Sequence, residues 1–318
     1  MKIAVLQLNC YFADIESNMK KIRDYIMQAA QNGFELILLP EFFPSAIGFS
    51  PEMDAVALEG VHIQSLLKKW SDDFNIIIGG SYLCFDGSDC HNTFDLIFPD
   101  GSVFSHKKDI PTQFENCYYT KGDTDHILHT PIGNIGVALC WEMLRFDTVK
   151  RLSGKVDIVL AGSCWWDLPL DAPKDREPLR TYNQALAIET PVTFAKLLRV
   201  PVVHACHCGH ARAYNFPEAS KVQTRQFVGA TQILDKEGSI AARRIFCEGE
   251  GLVTAEVDFG KTQWQKAMIE ENRYWIPDLP ESYLKAWSTI NPAAEIYYRE
   301  KMLPRYKVMT TRVPDLEK

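Results

Sequence analysis

Residues 1–40 place the strongest constraint on what this chain can fold into. Ile3 to Leu8 is a short apolar run, and Ile15, Met19, Ile22, Ile26 and Ala30 then recur at three- and four-residue spacing. That spacing predicts a helix with one buried face. Gly33 stands where such a helix ends, and Leu36 to Leu39 is a second apolar run closed by Pro40. Strand, amphipathic helix and buried strand make a β-α-β unit, which commits the chain to a sheet with helices laid on it. The N-terminal apolar run stops at Gln7 with no small-residue cleavage site after it, so it is expected as a strand and not as a secretory leader.

The alternation continues. Val61 to Phe74 predicts a helix with Ile63, Leu66, Leu67 and Trp70 inward, and Asn75 to Leu83 a strand. Thr93 to Phe98 and Ser102 to Lys107 flank Pro99-Asp100-Gly101, which reads as a hairpin turn. Ile135 to Leu139 and Val156 to Leu160 are further strands, with a short helix near Thr148 between them; Arg180 to Ile188 is helical. Val202 to Cys206, Phe227 to Leu234 and Leu252 to Val257 complete the set, giving one α/β domain over residues 1–260. Residues 261–318 differ. They hold Trp264, Trp275, Trp287, Tyr274, Tyr283, Tyr297, Tyr298 and Tyr306, with Pro277, Pro280, Pro292 and Pro304 expected to break them into short pieces. Such an aromatic-rich C-terminal extension is expected to pack on its own domain or on a second subunit.

Composition excludes several classes. At 318 residues and 46% hydrophobic the chain can bury a core without staples. Thirty-four Lys and Arg against 41 Asp and Glu give a net charge of −7 with no basic run, so nucleic acid is not an expected partner. The most apolar stretches, Phe34 to Phe43 and Ile76 to Phe85, are half the roughly 20 residues that a membrane-spanning helix needs, and no membrane association is expected. Nine scattered cysteines point to reduced thiols in a cytoplasmic protein.

Three apolar strands end in reactive groups: Leu38-Leu39-Pro40-Glu41-Phe42, then Ser105-His106-Lys107-Lys108-Asp109-Ile110-Pro111-Thr112, then Val137-Ala138-Leu139-Cys140-Trp141-Glu142. Ligands collect beyond the carboxyl ends of strands in α/β sheets, so these groups can converge. A thiol needs a base or a cation for activation. A carboxylate among apolar neighbours can take and return a proton near neutrality, and a buried ammonium can stabilise an oxyanion. Brought together, the trio would suit a hydrolase for carbon–nitrogen bonds.

In that order these segments resemble the nitrilase superfamily of carbon–nitrogen hydrolases. Tyr118 to Asp123, ending in Lys-Gly-Asp, and Val228-Gly229-Ala230-Thr231-Gln232-Ile233 before the Asp235 to Gly238 turn add to the resemblance, which covers residues 1–260. It implies Cys140 as nucleophile, Glu41 as general base, Lys108 and the Trp141 backbone N–H as oxyanion donors, and Glu115 as a second glutamate that positions substrate or assists proton transfer. It also implies a four-layer α-β-β-α sandwich, dimerisation, a small-molecule amide or nitrile substrate, and no metal or organic cofactor. Aligning on Lys-x-x-Pro-Thr selects Lys108, whereas aligning on Lys-x-His-Ile/Leu-Pro selects Lys107; the gapless run through Glu115 and Gly122-Asp123 favours Lys108. Cys140-Trp141-Glu142 is similar to the nitrile-hydrolysing branch and Arg145-Phe146, with one residue inserted, to the Arg-Phe-Pro of amidases, so the resemblance leaves the substrate class open; a linear amide or N-carbamoyl compound stands first, as the commonest chemistry of the superfamily, and a nitrile second.

Other segments carry readings of their own. Trp165-Trp166 follows a strand that should end near Cys140, placing an indole in the pocket wall. Glu142, Arg145 and Asp167 are near enough in sequence to add polar contacts. His204-Ala205-Cys206-His207-Cys208-Gly209-His210 offers a different class of function, a metal- or redox-responsive binding protein. On a strand, residues 204, 206 and 208 share a face, one ligand short of tetrahedral zinc.

Overall fold

Strand β1 (Lys2–Asn9) is buried on both faces, and each face serves a different layer. Ile3 and Val5 point into one core while Ala4, Leu6 and Leu8 point into another, as the two-residue repeat of a strand requires. The computed structural model describes residues 1–260 and 273–311. Helix α1 (Ile15–Gln31) leads to β2 (Leu36–Leu38), α2 (Gly60–Phe74), β3 (Ile77–Phe85), β4 (Cys90–Ile97) and β5 (Val103–Lys107). Next come β6 (Ile127–Thr130), β7 (Gly133–Leu139), α3 (Phe146–Leu152), β8 (Ile158–Ser163), β9 (Trp166–Pro169), α4 (Glu177–Leu198) and β10 (Val202–Cys208). Then follow β11 (His210–Tyr214), β12 (Val222–Phe227), β13 (Ala230–Leu234), β14 (Ile240–Ile245), β15 (Gly251–Glu256), α5 (Glu281–Tyr297) and α6 (Leu303–Thr310).

Twelve strands form a sheet folded into two halves. One half runs β5-β4-β3-β2-β1 with β15 against β1; the other runs β6-β7-β8-β10 with β13 and β14 beyond. Among the described residues, the strand pairing that crosses the fold is Leu8↔His207 and Asn9↔Cys208, between β1 and β10. Leu36, Leu38, Phe94 and Leu96 of one half meet Val137, Leu139, Ile158 and Leu160 of the other in a shared apolar layer. The opposite faces carry α1 and α2 on one side, and α3 and α4 on the other. The result is the four-layer α-β-β-α sandwich. Strands β2, β1, β10, β8 and β7 are mutually parallel, and β5, two antiparallel steps from β3, runs the same way. Their carboxyl ends therefore open on one side of the molecule.

Several boundaries differ from the sequence reading for identifiable reasons. Leu66 is only partly buried, and Asn18 and Ala29 share the inward face of α1. The predicted strand Phe227 to Leu234 is two strands, because Gly229 at φ +63° turns the chain between β12 and β13. Strands β9, β11 and β12 form a separate small sheet that the apolar pattern did not announce, since β12 is mostly half-buried.

The C-terminal extension is the largest correction. From Glu281 it is helical through a π turn (Tyr298–Met302) into α6, not a series of short pieces. Pro280 is the N-cap of α5 and Pro304 lies in the first turn of α6, where proline is tolerated; Pro292 is accommodated inside the helix. Ala294, Tyr298, Met302 and Tyr306, four apart, form one ridge buried in the chain's own core. The Tyr298 hydroxyl accepts the Cys90 N–H at 2.8 Å. Trp264 lies outside the described residues. Among the described residues no helix is long and apolar enough to cross a membrane.

Candidate active site

Glu41, Lys108 and Cys140 sit beyond the carboxyl ends of β2, β5 and β7, so the fold collects them although they are far apart in sequence. Each is held by its own local device. Glu41 is fully buried against β8, where a Cβ on Gly162 would lie 2.9 Å from the Glu41 nitrogen. Glycine is required there because the two halves of the sheet touch. Gly122 of the Lys-Gly-Asp segment clamps the lysine loop: its N–H donates to the Lys108 carbonyl at 2.7 Å, and a Cβ would meet the Lys107 oxygen at 2.3 Å. Cys140 opens a short 3₁₀ turn (Cys140–Leu144) with φ +53°. Phe42 and Gln113, beside Glu41 and Glu115, share that left-handed conformation. For a non-glycine residue it costs on the order of 1–3 kcal/mol and is found where surrounding structure holds a functional group in place.

The Lys108 ammonium is the centre of the arrangement. It donates to Glu41 Oε1 at 2.9 Å and to Glu115 Oε2 at 2.8 Å, while Lys107 reaches Asp86 at the surface, 3.3 Å away. The structure thus brings Lys108, not Lys107, beside the other sequence candidates. Glu41 also accepts from the Asn92 amide and the Cys164 N–H, each at 2.9 Å. Glu115 accepts the Tyr119 hydroxyl at 2.5 Å and the Thr112 N–H at 3.0 Å. Sequence reasoning passed over Asn92 and Tyr119; strand periodicity places Asn92 on β4 beside the site, but nothing in the pattern marks it.

Burial governs the proton affinities. Desolvation raises the Glu41 carboxyl to about 7, with Lys108 pulling against it. Burial also pushes the Cys140 thiol well above its usual value; the negative charge of Glu41 adds to this and Lys108 opposes it. For Lys108, burial alone would favour the neutral amine, but Glu115 and Glu41 overcome it and hold the ammonium charged. The resting arrangement is a neutral thiol beside an ammonium and a carboxylate that can receive a proton near neutrality.

Cys140, Glu115, Trp141, Trp165 and Trp166 line one cavity of about 640 Å³. Trp165 is anchored by its Nε1–H to Asn183 at 3.1 Å, whereas the half-buried Trp166 has no partner for its Nε1. Tyr283 and Ile290 of α5 complete the wall. Trp141 stacks on Trp287 with ring centres 5.7 Å apart and planes at 10°, so the extension forms part of the site's surroundings, which its proline-rich sequence did not disclose.

Beneath the cavity lies a buried polar network. The Glu142 carboxylate accepts the Leu139 N–H at 2.7 Å and the Asp109 N–H at 2.8 Å and faces His106 at 3.2 Å. Asp109 is gripped by Arg145 through both carboxylate oxygens. His106, His126 and Glu142 could each offer a metal-binding atom within 4.8 Å of the others. Those atoms are already engaged: His106 also meets Thr124, and His126 meets the Val137 carbonyl and Arg151. Two histidines of the His204–His210 run are engaged in the same way, while Cys206 and Cys208 are free thiols. His204 bridges the Ala230 carbonyl and Ser163, and His207 donates to the Glu41 carbonyl; burial lowers both imidazoles to about 4. These histidines support the site's backbone.

The class that fold and site define is matched by sequence comparison. The carbon-nitrogen hydrolase family profile covers residues 2–267, and the chain belongs to that family, within the nitrilase superfamily. Among curated relatives, it is similar to a citrullinase of Francisella tularensis (32% identity over 45% of this chain and 53% of that protein), and so spans about half that relative's length. It is also similar to nitrilase 3 of Arabidopsis thaliana (23% over 88% of this chain and 85% of that one) and to an omega-amidase of Xenopus tropicalis (29% over 43% and 54%). Among solved structures, a carbon-nitrogen hydrolase from Helicobacter pylori G27 superposes with TM-score 0.67 at 16% identity, over 80% of this chain and 88% of that one. An amidase from Nesterenkonia sp. AN1 superposes with TM-score 0.62 at 19% identity, over 81% and 93%. At these identities the structural likeness is one of fold.

Proposed function

We propose that the protein is a cytosolic, homodimeric thiol hydrolase that cleaves the C–N bond of a small linear amide or N-carbamoyl compound and releases ammonia. The observation that carries this reading is the pair of carboxylates, Glu41 and Glu115, on one buried ammonium, Lys108, with Glu115 lining the same cavity as Cys140. In the proposed cycle the Cys140 thiol gives its proton to Glu41 as sulfur attacks the carbonyl carbon. The oxyanion is stabilised by Lys108 and by the Trp141 N–H, which belongs to the opening of a 3₁₀ turn where amides lack intrahelical acceptors. Glu41 then protonates the departing nitrogen, ammonia leaves, and a thioester remains. Water enters and attacks the thioester carbon, Glu41 takes its proton and passes it to the departing sulfur, and the acid is released with the Cys140 thiol and the Glu41 carboxylate restored. Glu115 holds Lys108 in place and faces the cavity. Nine free cysteines support the cytosolic assignment. No step uses a metal or an organic cofactor.

A second reading is a nitrilase, supported by coverage: the relatives matched over 85–87% of their own length include the three Arabidopsis nitrilases. The same sulfur would attack a nitrile carbon, and two waters would be consumed in reaching acid and ammonia. Ammonia release across amides, N-carbamoyl compounds and nitriles, with Cys140→Ala alongside, tests both. Release that persists in Cys140→Ala near the original rate would overturn the mechanism.

A further inference from the structure

Arg225 of β12 lines the same cavity as Cys140 and faces no carboxylate there; of the cavity's cations it is the half-buried one, Arg176 standing exposed at the surface. Burial is the sole influence on the proton affinity of Arg225, lowering it. Its Nη2 donates to Asn215 at 3.1 Å and to Gln223 at 3.0 Å, both neutral amide oxygens. Nε and Nη1 have no acceptor among the described residues. The carboxylates that share the cavity are spoken for: Glu115 holds Lys108, Asp167 faces Arg180 at 3.4 Å, and Asp171 holds Lys221 at 2.7 Å. A guanidinium fork held by two amides, with its remaining N–H groups open to a substrate cavity, matches a planar carboxylate.

We infer that Arg225 is a specificity-determining residue that binds a carboxylate at the far end of the substrate, so that the preferred substrate is a linear amide or ureido compound carrying a free acid. The inference rests on the hydrolase reading above and narrows its substrate class. Asn215 and Gln223 orient the fork, Trp166 and Phe49 supply apolar wall, and the scissile carbon reaches Cys140. The half-amides of dicarboxylic acids and the ureido acids share this chemistry and differ at the reacting end only.

The test compares ammonia release from the half-amides of succinic, glutaric and adipic acid, and from the matching ureido acids, with release from neutral n-alkyl amides of the same length. Charge-assisted hydrogen bonds of this kind change affinity by about 10- to 100-fold, and the acid-bearing substrates should lead in kcat/KM by that factor. Arg225→Met should collapse the acid-to-neutral ratio, chiefly through KM, and Arg225→Lys should restore part of it. A wild-type enzyme that prefers neutral amides, or a ratio that Arg225→Met leaves in place, overturns the inference while the hydrolase reading stands. Ammonia from neither class overturns the hydrolase reading, and the inference with it. Should Arg225→Met fail to fold, competition by glutarate against butyramide in the wild type decides; no competition overturns the inference.

Discussion

Glu142 accepts the backbone N–H of Asp109 at 2.8 Å with one carboxylate oxygen while its other oxygen holds Leu139 at 2.7 Å. Asp109 follows Lys108 and Leu139 precedes Cys140, so one buried carboxylate ties the lysine loop to the cysteine elbow. Burial would favour the neutral acid, but His126 and His106 keep Glu142 ionised, and the ionised form offers both oxygens as strong acceptors to the two amides.

Glu142→Gln turns one of those oxygens into a donor facing a donor. The expected cost is about 1–3 kcal/mol of stability, seen as a lower thermal midpoint. Because Glu142 acts on geometry and not on substrate, kcat should fall more than KM rises. An equal loss of stability with unchanged kcat would reduce Glu142 to a purely structural role.

The two adjacent lysines should separate cleanly. Lys107→Ala removes a part-exposed pair with Asp86, of a type worth about 0–1 kcal/mol, and should leave kcat/KM within a factor of two. Lys108→Ala strips the cation from Glu41 and Glu115, leaving two buried carboxylates facing each other. Removing one partner of a buried pair costs roughly 3–5 kcal/mol. Activity should disappear, and Lys108→Met should lose it equally. Steady-state rates beside denaturant curves check both halves of the expectation.

The Glu41 carboxyl, raised by burial to about 7, sets the expected pH dependence. The base works only when ionised, so kcat/KM should climb with pH through an inflection near 7 and flatten above it. The sign for stability is opposite. A group whose folded value exceeds its unfolded one binds more protons when folded, so its contribution is full below about 4.5. It is lost as pH rises toward 7. Glu41→Gln should abolish the activity limb, lower kcat by about 10²- to 10⁴-fold, and remove this share of the stability slope. A wild-type limb centred near 4.5 would place the working base elsewhere.

Much of this was legible in the chain because apolar periodicity and strand-end chemistry are local. The β-α-β opening, the burial of Ile22 and Ile26, and the placing of Glu41, Lys108 and Cys140 at strand ends all follow from residues a few positions apart. The sequence favoured Lys108 over Lys107 without deciding between them, since side chains of neighbouring strand residues leave on opposite faces and the sheet decides which face is the site. Asn92, Tyr119 and Arg225 carry no signature that the pattern reveals: each is an ordinary polar residue, and Asn92 finds its partner, Glu41, 51 residues away. The extension misled for a different reason. Proline breaks a helix interior but starts a helix well, and Pro280 and Pro304 stand at starts.

That extension leads to the last expectation. Trp287 lies parallel to Trp141 at 5.7 Å and edge-on to Trp275 at 5.0 Å, and Trp141 is the neighbour of Cys140. Aromatic pairs contribute about 0.5–1.5 kcal/mol each beyond area, so Trp287→Ala should lose on the order of 1–3 kcal/mol locally. The loss falls on the contact between α5 and the elbow, not on the ridge of Tyr298 and Tyr306 that holds the extension's other end. Global unfolding should therefore shift little, while Trp141 gains freedom and KM rises several-fold. Trp287→Phe keeps one ring in the stack and should recover most of the affinity. Trp287→Ala with kinetics indistinguishable from wild type would mean that α5 covers the site without shaping it.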